Sequence, residues 1–156
     1  MEVLPDGLRI LNQAPASDQD SYVVSAKLAQ RYNLKQIGDL RAVPNLVLGG
    51  NSELETRPYG PKGLKSIYGV NAKFSPIEDS GGALTVKALR DNSIQLADIY
   101  SSDPVLASSD LVVLADPKSL FLASQVVPVI SERIDERAGV QINRISAALT
   151  SRALIE

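Results

Sequence analysis

Apolar positions along the chain fall into short blocks divided by polar, glycine and proline breaks, and the spacing inside each block predicts an element. Leu8 to Leu11 follows the Pro5-Asp6-Gly7 turn and reads as a strand. It leads into a polar, proline-broken connector from Asn12 to Asp20. Tyr22-Val23-Val24 is a β-branched strand signal. Ala26, Leu28, Ala29 and Tyr32 then recur at spacings that suit a short helix ending near Asn33. A brief helical turn at Asp39-Leu40 is stopped by Pro44.

Further along, the pattern alternates between strand and helix. Leu46-Val47-Leu48 is fully apolar and ends in Gly49-Gly50, as a strand covered on both faces does. The polar loop from Asn51 to Pro61 precedes a helix marked by Leu64, Ile67 and Tyr68 and closed by Gly69. Lys73 to Ile77 predicts a strand that Pro76 restricts to a sheet edge or a strand end. Ala83 to Arg90 reads as a helix, and Ile94 to Tyr100 and Leu111 to Leu114 as strands. Val126 to Ile130 is a last strand, with Pro128 favouring an edge or a crossover. Ile134, Ala138, Ile142, Ile145 and Leu149 form the apolar stripe of a final helix. Strands separated by helix-length segments point to an α/β fold with βαβ units and a parallel sheet.

Composition narrows the function. The 156 residues fit one domain of ordinary size, and 44% hydrophobic residues suffice for a core. A net charge of −2 with no basic cluster argues against nucleic acid as a partner and against an anionic membrane surface. With no cysteine there is no disulfide, thiolate metal site or thiol nucleophile. With no histidine, the commonest general base near neutral pH and the usual zinc ligand are absent too. The first ten residues lack the charged and apolar regions of a signal peptide, and no apolar run approaches the ~18 residues of a membrane span.

Candidate chemistry concentrates at three places. Ser80 to Pro104 reads as a glycine turn, a helix, a tight loop and a buried strand that delivers Tyr100 at its carboxyl end, where open α/β sheets form ligand crevices. The glycines before the helix offer backbone N–H groups to an anion, or serve as plain turn chemistry. Arg57, stiffened by Pro58, follows a buried strand; its guanidinium suits a ligand carboxylate or an ion pair with Glu53 or Glu55. Tyr22 and Tyr100 are two of only seven aromatic residues, and both lie close to an acid, Asp20 and Asp103 respectively. Tyrosine faces beside a carboxylate make a box for a quaternary ammonium group, at about 0.5 to 2 kcal/mol per face. Core packing is the alternative for both.

Several segments resemble the substrate-binding proteins of ABC importers for osmoprotectants, the glycine betaine, choline and carnitine group. They are APASDQDSYVVS (Ala14 to Ser25), YNLKQIGDL (Tyr32 to Leu40), NLVLGGNSELETRPYGPKGLKSIYGV (Asn45 to Val70), DSGGALTVKALRDNSIQLADIYSSDP (Asp79 to Pro104) and LVVLADPKSLFLASQVVPVI (Leu111 to Ile130). The resemblance implies a type II periplasmic-binding-protein fold with one flavodoxin-like parallel-sheet lobe plus a partial second lobe. Residues 1–20 would be a remnant of lobe one and the first hinge crossing, 21–125 lobe two, and 126–156 the second crossing and the C-terminal helix of lobe one. The implied ligand contacts are Asp20, Tyr22, Arg57, Tyr100 and Ser124, with no catalytic residue, metal or cofactor. The implied partners are a small quaternary-ammonium solute and a membrane permease, in a periplasmic or extracellular, membrane-associated setting.

Two departures stand out. Ser124 occupies a place where the family carries a tyrosine, and the N-terminal half of lobe one has no counterpart, which implies a piece of a longer protein. The stripe of the final helix would then lie exposed and favour self-association, so dimerisation or marginal order is expected in residues 1–17 and 131–156. An effector module of a transcription regulator, which reuses the same fold, is the alternative function. An enzyme relying on Asp79, Asp98 or Asp103 is a third, although the sequence brings no two carboxylates together.

Overall fold

The computed structural model describes residues 4–155. In chain order the regular elements are β1 (Leu8–Ile10), β2 (Asp20–Ser25), α1 (Ala26–Tyr32), β3 (Val47–Gly50), α2 (Pro61–Gly63), β4 (Lys73–Pro76), α3 (Ala83–Arg90), β5 (Leu96–Tyr100), β6 (Leu111–Val113), β7 (Val129–Ser131), α4 (Glu136–Ala148) and α5 (Ser151–Ile155). Single 3-10 turns fill Ile37–Ala42, Ser52–Glu55 and Pro104–Ala107, and α2 widens into a π-turn at Leu64–Tyr68.

Local chemistry accounts for the boundaries. The Ser25 hydroxyl accepts the Leu28 N–H to start α1, and Asn33 ends it in the left-handed region at φ 52°. Gly69 closes the π-turn in the same way at φ 68°. Asp79 governs α3: one carboxylate oxygen accepts the N–H groups of Leu84 and Thr85, and the other accepts the Thr85 hydroxyl. These free N–H groups are thereby satisfied from within, which answers the anion reading of Ser80-Gly81-Gly82 in favour of turn chemistry.

Five strands form one sheet in the order β4-β3-β5-β2-β6. β3 is parallel to both β4 and β5, whereas β2 is antiparallel to both β5 and β6. The α/β architecture matches the sequence pattern, and the edge position of β4 matches its Pro76. The parallel direction does not extend to β2. The connector from β1 brings the chain to the sheet at the carboxyl ends of β3 and β5, so β2 can only run back against its neighbours.

Side chains alternate across this sheet and feed two cores. Tyr22, Val24, Leu48 and Leu96 face one side with Leu40, Leu64, Tyr68 and Phe121. Val23, Ala97 and Ile99 face the other with Val86, Leu89, Ile94 and Leu111. A second, two-stranded sheet pairs β1 with β7 in antiparallel register, Leu8 opposite Ser131. Between the sheets the chain crosses twice, and the crossings are laced together: Ala14 N–H to Val126 O at 2.8 Å, Val126 N–H to Ala16 O at 3.0 Å and Asp18 N–H to Ser124 O at 2.9 Å.

α4 packs against the first crossing through polar and small residues. The Ser146 hydroxyl donates to Asn12 O, and the Asn143 side chain accepts the Asn12 N–H. Gly139 and Ser146 are buried and Ile142 and Leu149 half-buried, while Ile145 is 71% exposed. The expected apolar stripe is therefore split, because the polar anchors rotate Ile145 outward. Ile10, Val129 and Ile134 are exposed with it.

The loop after β3 tolerates no added atom at Gly60. A Cβ there would stand 1.9 Å from Leu54 O. Gly60→Ala should therefore cost at least about 2 kcal/mol of stability, read from urea unfolding, by displacing the whole Arg57–Tyr59 turn.

Candidate functional site

Three chain segments converge at one edge of the large sheet: the carboxyl ends of β3 and β5 and the start of the reversed β2. In the β2–β5 register Asp20 stands opposite Tyr100 and Tyr22 opposite Asp98. Alternation puts all four side chains on one face, acids on one diagonal and tyrosines on the other. β3 contributes Gly50, where a Cβ would come within 2.7 Å of the Leu54 side chain and 3.4 Å of the Asp98 Cβ. The missing side chain is what lets the following loop close down beside Asp98.

The resulting cleft of about 80 Å³ is lined by Asp20, Asn51, Glu53, Leu54, Arg57, Tyr59, Ser80, Gly81, Asp98 and Tyr100. It adjoins a hollow of about 200 Å³ that shares Asp20, Tyr59 and Tyr100 and adds Asp18, Gln19, Phe121, Leu122 and Ser124. Both are open to solvent.

The five side chains singled out from the sequence fall into distinct settings. Tyr100 is 46% exposed, and its hydroxyl pKa is raised chiefly by the charge of Asp20. Asp20 and Ser124 lie at the cleft and the hollow, with Ser124 N–H donating to the Gln19 side-chain oxygen at 3.4 Å. Arg57 is at the rim, and its guanidinium already holds Glu53 at 2.9 Å. That pairing raises the arginine pKa further, through the hydrogen bond to Glu53 and then its charge. Tyr22 is fully buried. Its hydroxyl donates to Tyr59 O at 2.5 Å, and its ring meets Phe121 edge-on at 4.9 Å. Burial, followed by the charges of Asp98 and Asp20, pushes its hydroxyl pKa far above the ordinary value. Tyr22 therefore supports the floor of the cleft, while Tyr100 presents a face to it.

Three residues outside that set also belong to the site. Tyr59, in the loop beside Arg57, is half-buried and lines both hollows; burial and then a hydrogen bond to Asp20 push its pKa up to about 12. Its place directly after Arg57-Pro58 is the signal that could have found it. Phe121 packs 5.4 Å from the Tyr59 ring and is positioned by Asp116, which accepts the Phe121 N–H and the Tyr68 hydroxyl.

Asp98 is the third. Burial, then the charge of Asp20 and a hydrogen bond to it, push its carboxyl up to about 8. One of its oxygens is buried without a hydrogen-bond partner. The sequence brought no two carboxylates together; the antiparallel register does. Asp79 and Asp103 lie elsewhere in capping roles, Asp103 accepting the Val105 N–H. No group of acids that could hold a metal occurs among the described residues, and no described helix is long and apolar enough to cross a membrane.

Residues 4–155 match the family model described as the substrate-binding domain of ABC-type glycine betaine transport systems. The carnitine transport binding protein OpuCC of Listeria monocytogenes is 30% identical over 102 residues, covering 64% of this chain and 32% of that protein. The chain thus spans about a third of the length of the curated relatives it matches. The crystal structure of a glycine betaine/carnitine/choline ABC transporter superposes with a TM-score of 0.82 at 24% identity, over 96% of this chain and 56% of the other. Lactococcal OpuAC, in its closed form with glycine betaine, gives 0.58 at 18% identity, over 95% and 59%. At these identities the two structures speak for the fold, that of type II periplasmic binding proteins. The family match spans nearly the whole chain, and the chain belongs to the family of substrate-binding domains of ABC-type glycine betaine transport systems, transport components rather than enzymes.

Proposed function

We propose that the chain supplies one wall of a binding site for a quaternary-ammonium solute such as choline, glycine betaine or carnitine, in the receptor of an ABC importer. The observation that carries this reading is the meeting of Tyr59 and Tyr100 with Asp20 and Asp98 around a single open cleft. Aromatic faces attract a cation that cannot donate hydrogen bonds, and the carboxylates supply the opposite charge. Arg57 takes the carboxylate of a zwitterionic ligand by exchanging it for Glu53, and Ser124 widens the rim where an aromatic ring would narrow it. Tyr22 acts beneath the site, holding the Tyr59 backbone.

In this reading residues 21–125 are the ligand-bearing lobe, and residues 1–20 and 126–156 are the crossings and the return to a second lobe. The exposed Ile10, Val129 and Ile145 support a face that is covered in a longer protein and that self-associates in this chain alone. The receptor works outside the cytoplasmic membrane and delivers its solute to a permease there.

Calorimetry of the chain, alone and restored with an N-terminal lobe, against choline, glycine betaine, carnitine and proline tests the reading. Saturable binding of at least one quaternary ammonium compound, with proline weaker, is the expected result; no heat with any of them overturns it. Tyr100→Ala should weaken that binding at least tenfold, the equivalent of about 1.4 kcal/mol, without shifting the urea midpoint. Tyr22→Ala should instead cost about 3 kcal/mol of stability, since it empties a filled core position. Sedimentation equilibrium should show concentration-dependent dimers, and a compact monomer at every concentration would remove the self-associating face.

A further inference from the structure

The solute-binding reading leaves one feature of the cleft unused: Asp98, which has one buried oxygen without a hydrogen-bond partner, stands diagonally against Asp20 across the β2–β5 ladder, and both acids line the cleft. Two carboxylates in such contact resist double ionisation, because each charge opposes the other and neither is fully hydrated. A pair of this kind holds one proton between two oxygens and titrates as a unit.

The surroundings offer one cation, Arg57, which is already paired with Glu53 and also feels the charge of Asp20. From β2 the pair faces Tyr22, from β5 Tyr100, and from the loop after β3 Glu53, Arg57 and Tyr59. Arg57 is the single cation among these lining residues, and its fork is engaged by Glu53 at the rim. The tyrosine hydroxyls remain protonated and add no positive charge.

We propose that Asp20 and Asp98 share a proton in the empty cleft and release it to solvent when a quaternary ammonium group settles against Tyr59 and Tyr100, so that solute capture is coupled to proton release. The exchange balances: one positive charge enters, the carboxyl O–H bond breaks, and one proton passes to water. This rests on the solute reading for its ligand, but the shared proton itself does not.

The direction with pH follows. The empty cleft binds one more proton than the filled one, so affinity for choline rises with pH, by up to about tenfold per unit, until Asp98 ionises unaided near about 8, and is flat beyond it. Stability of the empty chain runs the other way. The folded Asp98 binds its proton more tightly than the unfolded carboxyl, so its contribution is complete below the ordinary carboxylate range and is lost as pH rises toward about 8. With no histidine and no cysteine, no other side chain ordinarily titrates between about pH 5 and 7.5.

Two measurements test the proposal on the whole chain. Carbon-detected NMR of the aspartate carboxyls should show one resonance with a midpoint near 8 that is missing in Asp98→Asn, together with a urea midpoint that falls from about pH 5 to 8 and is flat in the variant. Choline calorimetry near pH 6.5 in phosphate and in Tris, whose ionisation heats differ, should report close to one proton released per choline. It should report none for Asp98→Asn, and none with the neutral isostere 3,3-dimethyl-1-butanol. All aspartates titrating in the ordinary range overturn the shared proton. Choline binding with the same heat in both buffers overturns the coupling. Absence of binding by any quaternary ammonium compound overturns the coupling together with the solute reading, and the carboxyl titration then still decides whether the pair exists.

Discussion

The chain reaches its large sheet from the carboxyl edge, and that single constraint of entry shapes the site. β2 has to run against β3 and β5, so its first residues, rather than its last, lie where the other strands end. Asp20 is placed there by being the first residue of β2, and Tyr100 by being the last of β5. A parallel β2 would have carried Asp20 to the far end of the sheet, away from Tyr100 and from the loop that holds Arg57. The cleft is thus a product of connectivity before it is a product of side-chain chemistry.

Packing then decides which aromatic side chains face solvent. Tyr22 is tied to the Tyr59 carbonyl and wedged against Phe121, so its ring stabilises the floor and sets the height of the Tyr59 turn. Asp116 holds Phe121 in place from the opposite side by accepting its N–H. The tight passage of Gly60 under Leu54 fixes the same turn from below. Tyr100 has no such ties and keeps its face open. The three tyrosines of the site shift in the same direction, Tyr22 and Tyr59 chiefly through burial and Tyr100 chiefly through the charge of Asp20: each hydroxyl stays protonated, and the rings stay neutral surfaces for a cation.

Much of the fold is legible in the sequence because the signals are local. Gly69 after Tyr68, Asn33 after Tyr32 and Pro76 at an edge strand each record a backbone requirement of their own segment. The direction of β2 is not local. It depends on where a proline-broken connector crosses, and nothing in Tyr22-Val23-Val24 encodes it. The same gap hid the Asp20–Asp98 contact, since residues 78 positions apart meet only through that register. The family motifs did single out Asp20, Arg57, Tyr100 and Ser124, all of which border the cleft or its adjoining hollow. They also singled out Tyr22, whose side chain is buried one layer deeper. For α4 the periodicity was present, but polar bonds from Asn143 and Ser146 to Asn12 outweighed it and turned Ile145 to solvent. A hydrophobic pattern cannot register such anchors.

The laced pair of crossings has a mechanical meaning. An antiparallel ribbon bends and twists with little loss of hydrogen bonding, but it cannot slide, because a one-residue slip would turn every side chain to the opposite face. The bonds of Asp18 to Ser124 and of Val126 to Ala16 fix this register. Any swing of the small sheet relative to the large one is then a rotation about this ribbon, with no translation along it. For such a rotation the rim formed by Asp18, Gln19 and Ser124 would be the axle, and the groups nearest to it would travel least.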